Sequence, residues 1–146
     1  MTSTFRFLED IALADSAFEA RGTTPSDLFT VSARAVIETL ADPATVAPVV
    51  SKTLVRHDRN LPELLFDWLA DIVFLKDAEG MVFHDATCTV TEDLAEGGWR
   101  LTGTLTGEPI DPRRHILHAD VKAITKHRYE VRQDKGGWIA TVVMDI

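Results

Sequence analysis

The 146-residue chain has a single cysteine, Cys88. That excludes an internal disulfide. The N-terminus MTSTFRFLED lacks a basic segment followed by an apolar one, so no secretory signal is expected and the reading is cytoplasmic. No apolar run approaches the roughly 18–20 residues that cross a bilayer, so no membrane partner is expected. Positive charge is also scarce: 15 Lys and Arg stand against 23 Asp and Glu, a net charge of −8. Phosphate backbones repel such a chain, so sequence-specific nucleic-acid binding is not expected as its main activity. Arg113, Arg114 and His115 form one small basic cluster. A basic protein partner that itself holds RNA fits the charge better. Three catalytic signatures are missing as well: the phosphate-cradling P-loop, G-x-G-x-x-G and the G-x-S-x-G elbow. Independent GTP hydrolysis or ligation is therefore not expected, and the chain reads as a non-enzyme.

What is present suits one domain, residues 1–146, with an ordinary hydrophobic share of 45%. Phe5 to Asp10 and residues 11–21 read as two strands joined by a turn within residues 9–14. Thr24 caps a helix whose first position is Pro25 and which runs to about Ala41, where Asp42-Pro43 stops it. Val49 to Asp58 alternates as a strand. Asn60 caps a second helix. Its apolar positions Leu61, Leu64, Leu65, Trp68, Leu69, Ile72, Val73 and Leu75 follow helical spacing to Glu79-Gly80. Trp68 reads as core. Residues 81–92 and 99–107 form one hairpin, and residues 126–133 and 138–146 another, each with a Gly-Gly-Trp exit. Residues 108–120 read as an irregular loop between them. The expected fold is α+β: mostly antiparallel sheets packed with two main helices. Cys88 reads as a small strand residue, and His57, His84 and His127 as solvent-facing.

The chemistry gathers after Gly107. Asp145-Ile146 follow the apolar run Val142-Val143-Met144 and are expected inside a strand, not a loose tail. The carboxylate of Asp145 then lies one residue from that of Ile146. Such neighbours repel unless positive charge intervenes. Lys122, or a hard cation such as calcium or magnesium that prefers oxygen ligands, would serve. Asp15, in an otherwise apolar strand, reads from residue type alone equally well as a solvated carboxylate. His115, His118 and Asp120 invite a zinc reading, but no cysteine or second histidine pair stands at zinc-site spacing.

Gly107-Glu108-Pro109-Ile110-Asp111, Arg114-His115, Asp120-Val121-Lys122-Ala123-Ile124-Thr125, Gly137-Trp138 and Val143-Met144-Asp145-Ile146 carry a resemblance. In order and spacing, from residue 107 to residue 146, the chain resembles the archease family. The resemblance implies an accessory factor of the GTP- and manganese-dependent RtcB-type RNA ligase of tRNA splicing and RNA repair. Such a factor promotes ligase guanylylation and multiple turnover. The resemblance also implies a metal set of Asp15, Asp145 and Ile146, a functional Lys122, and a partner-contact or activating role for Arg114 and His115. Calcium is the expected cation, with magnesium or manganese as alternatives, since oxygen-only ligands favour a hard ion over zinc. The family's Glu/Asp-His-Thr-Ala-Asp segment is similar here only at its final Asp. This chain reads Glu9-Asp10-Ile11-Ala12-Leu13-Ala14-Asp15, without the His and with two extra residues. Glu9 or Asp10 are further candidate ligands. The alternative is a general chaperone or modulator of nucleic-acid-processing enzymes with a structural metal, binding clients through an exposed apolar patch. A stand-alone metal-dependent hydrolase ranks last, because it needs a base beyond carboxylates.

Overall fold

The helix ends are set by local chemistry. In α1, Pro25–Leu40, the Thr24 side chain accepts the Asp27 amide at 3.1 Å, and Pro25 occupies the first turn. In α2, Leu61–Glu79, Asn60 accepts the Glu63 amide at 3.2 Å. Gly80, at φ 60°, ends α2 in the left-handed conformation that glycine adopts without strain. The computed structural model describes residues 3–9 and 15–146. Asp10 and the turn expected across residues 9–14 therefore fall largely outside the described residues.

Among the described residues, seven strands complete the fold: β1 (Thr4–Leu8), β2 (Asp15–Gly22), β3 (Val50–Asp58), β4 (Met81–Glu92), β5 (Trp99–Pro109), β6 (Ala123–Asp134) and β7 (Gly137–Asp145). They form two antiparallel sheets, ordered β1-β2-β7-β6 and β3-β5-β4. The architecture is α+β with two helices, as the sequence indicates. The two sheets enclose the helices: α1 touches β2 and β4, and α2 touches β6 and β3. This explains why α1 is buried on more than one face, at Leu28, Phe29, Val31, Ala33 and Val36 alike. After its first two residues, only a narrow stripe, Asp27, Thr30, Arg34 and Glu38, stays outside the core. Trp68 is fully buried, and its indole N–H donates to the Phe29 carbonyl at 3.1 Å, tying the helices together. Its ring lies against Gly103 on β5, where an added Cβ would meet ring carbons at 2.5 Å.

Three details differ from the sequence reading. β5 continues through Glu108 and Pro109, paired with Val82 and Met81, so the irregular loop begins at Ile110. Proline is tolerated at this end of the central strand because β3 pairs with β5 only as far as Gly107, so no ladder partner awaits the missing N–H. β6 starts at Ala123 and carries a register shift between Thr125 and Glu130, with Arg128 at φ 53°. The two Gly-Gly-Trp exits also use different turns. Lys135-Gly136 makes a two-residue turn with φ 48° and 80°. The other is a longer loop in which Asp93 accepts the amides of Ala95 and Glu96.

Candidate metal and partner site

Asp15 begins β2 and Asp145 ends β7, and the antiparallel register makes them direct partners. Directly opposed residues share a face, with Cβ atoms about 4.5–5.5 Å apart. On the other side of β7, Ala123 opposes Asp145, and the Lys122 amide donates to the Asp145 carbonyl at 2.8 Å. Asp15, Asp145 and Ile146 are all half-buried, and Lys122 is exposed. Among the described residues, no ion pair or side-chain hydrogen bond engages the Asp15 or Asp145 carboxylate. Two like charges thus face each other across adjacent strands. Their donor set is oxygen only, which suits a hard divalent cation.

Arg114 and His115 belong to a different arrangement. Glu108 is 4% exposed and His115 5% exposed. Glu108 Oε2 accepts from Arg114 at 2.9 Å, and Oε1 accepts from His115 Nε2 at 2.6 Å and from the Ala47 amide at 3.1 Å. His115 Nδ1 accepts the Asp111 amide at 2.9 Å, which fixes a neutral ring with its proton on Nε2. The Arg114 guanidinium, then His115 and the Ala47 N–H, hold the Glu108 carboxyl down at about 2. The His115 ring therefore spends one nitrogen within the loop, at Asp111, and the other on β5, at Glu108, bracing the loop against the strand. Arg114 is half-exposed and presents the rest of its guanidinium outward.

The other candidates scatter. His118 Nδ1 bonds to the Glu38 carbonyl at 2.7 Å, so it does not join His115. Asp120 pairs with Lys76 at 2.5 Å. Burial pushes the Cys88 thiol up to about 12, which keeps it protonated and inert. Among the described residues, His57, Asp93 and Glu96 bring one ligand atom each to within 4.8 Å of one another, a set able to hold a metal ion. Asp93 already accepts two amides there, and His57 Nε2 lies 2.9 Å from the Gly97 carbonyl. Sequence reading passes over this cluster because His57 lies on β3 while its partners lie in the β4–β5 loop. It also leaves Glu108 without a role: glutamate beside proline reads as loop surface, and the Ala47 amide that buries it is 61 residues away.

The Archease protein family (MTH1598/TM1083) model matches residues 5–146. The "Protein archease" of Methanopyrus kandleri is 38% identical over 133 residues, covering 91% of this chain and 94% of its own length. That of Pyrococcus furiosus is 30% identical over 134 residues, covering 91% and 93%. The solution structure of Methanobacterium thermoautotrophicum protein 1598 superposes with a TM-score of 0.81 at 29% identity, over 97% of this chain and 98% of that one. A Thermotoga maritima crystal structure, described as an archease and possible chaperone, shares the fold, with a TM-score of 0.62 at 16% identity and the same coverage. The match of family, sequence and fold over nearly the whole length leads to one conclusion: the chain belongs to the archease family.

Proposed function

We propose that this protein is a non-enzymatic accessory factor of an RtcB-type GTP-dependent RNA ligase, promoting ligase guanylylation and repeated turnover. The observation that carries this reading is the pairing of Asp15 with Asp145 beside Lys122 at one end of the four-stranded sheet. In it, Asp15, Asp145 and Ile146 hold a divalent cation, calcium in the first instance and magnesium or manganese otherwise. The cation neutralises the carboxylates. Lys122, exposed beside them, meets phosphate charge on the partner. Arg114, held by Glu108 and Asp111, contributes to partner contact. The net charge of −8 favours a basic protein surface over free RNA.

The test is ligase–GMP formation with and without the protein. Wild type is expected to raise the rate, and Asp145→Ala to lose that effect while keeping its melting temperature. Full stimulation by Asp145→Ala, with divalent-ion binding lost, would overturn the metal-holding step.

A general chaperone role is the second reading. It is favoured by the exposed Ile110 and Leu117, which with Leu40, Val82 and Ala119 line a cavity of about 180 Å³, and by the exposed Ile116 next to Leu117 in sequence. Replacing Ile116 and Leu117 with serine separates the readings. It should abolish client binding under the second and leave ligase stimulation intact under the first.

A further inference from the structure

Lys76 lies in the last turns of α2 and is only 8% exposed. A lysine rarely sits so deep without partners. Its ammonium donates to Asp120 Oδ1 at 2.5 Å, to the Val121 carbonyl at 2.8 Å, and pairs with Asp77 at 2.7 Å. Burial alone would lower its pKa, but the Asp120 and Asp77 carboxylates override that and raise it. The group stays charged.

The Val121 carbonyl and the Lys122 amide belong to one planar peptide unit. Lys76 holds that unit by its oxygen at 2.8 Å, and the Asp145 carbonyl holds it by its N–H at 2.8 Å. A plane fixed at both ends sets the direction in which the chain leaves, and here it leaves directly into the Ala123–Asp145 register pair. An ammonium on the carbonyl also polarises the unit and strengthens its N–H as a donor. Val121, fully buried, pins the same point from the core. We infer that Lys76 is a positioning residue: through the Val121–Lys122 peptide it sets where Lys122 stands relative to Asp145. Its importance to activity rests on the reading of Lys122 and Asp145 as the working site, but the geometric role does not.

Amide hydrogen exchange tests the geometric role directly. Lys76→Met removes the ammonium at similar volume. The Lys122 amide should then exchange about tenfold faster relative to the β4 and β5 amides, which report global stability. Lys76→Gln is the milder variant if the first folds poorly. It keeps one N–H donor and should give an intermediate rate. Asp77→Asn is the control and should leave the Lys122 amide protected, because Asp77 pairs with the ammonium and not with the Val121–Lys122 peptide. A folded Lys76 variant whose Lys122 amide rises no more than those of β5 overturns the inference. Terbium luminescence, read alongside, addresses the metal reading separately. Wild type should bind terbium, Asp145→Ala should not, and Lys76→Met should bind severalfold more weakly. A wild type that binds no terbium defeats the metal reading, while the exchange rates still decide the role of Lys76.

Discussion

Glu108 and Asp145 are both carboxylates near the C-terminal ends of strands, and their surroundings are opposite. Glu108 is buried and surrounded by donors from its own chain: Arg114, His115 and the Ala47 amide. Asp145 is half-buried, and its register partner is another carboxylate, Asp15. A carboxylate saturated from within holds a loop in shape. One whose register partner is another carboxylate offers oxygens that an outside cation can take up. The first arrangement suits the scaffold, and the second is the one we propose as the site.

That contrast is sharpest under mutation. Glu108→Ala leaves His115 Nε2–H without an acceptor in the interior, and unpaired buried donors are costly. Of the substitutions at Glu108, Gly103 and Asp145, it should cause the largest stability loss, read as a fall in urea midpoint with an unchanged slope. A divalent cation should raise the stability of wild type by about 2.7 kcal/mol at a hundred times its dissociation constant. The same ion should do nothing for Asp145→Ala, as thermal melts would show. Gly103→Ala, remote from both carboxylates, calibrates the core. Its new methyl runs into the Trp68 ring and should cost about 1–3 kcal/mol by urea unfolding. Asp145→Ala without metal should change stability by no more than about 0.5 kcal/mol.

Acid gives a further test. The Glu108 carboxyl is depressed from 4.5 to about 2, so it favours the folded state above pH 4.5. That contribution is lost as pH falls from 4.5 towards 2. Glu108→Gln should flatten this part of the stability–pH curve, and Asp145→Ala should leave it in place.

How much of this the sequence discloses depends on range. Caps act over three residues, so Thr24, Asn60 and Gly80 mark both helices to within a residue or so. Turn residues likewise announce both hairpins. Burial of Glu108 and Lys76 is invisible, because their partners Ala47, Asp120 and Val121 lie 61, 44 and 45 residues away. Nothing in the local pattern marks either side chain as buried. The Asp15–Asp145 pairing depends on the register between β2 and β7, and no local signal fixes a register between strands so far apart in sequence. Family resemblance names these residues, and the sheet brings the two aspartates face to face. The same distance hides the enclosure of α1 by two sheets, which only the order β3-β5-β4 beside β1-β2-β7-β6 explains.

If the facing aspartates are the working end of the molecule, multiple-turnover RNA ligation exposes it most directly. An RtcB-type ligase is held well below its RNA substrate, and wild type, Asp15→Ala or Asp145→Ala is added. Wild type should sustain repeated turnover, and both variants should lose this effect at unchanged melting temperature. Variants that stimulate as well as wild type, or a wild type that stimulates at no ratio, would contradict that role.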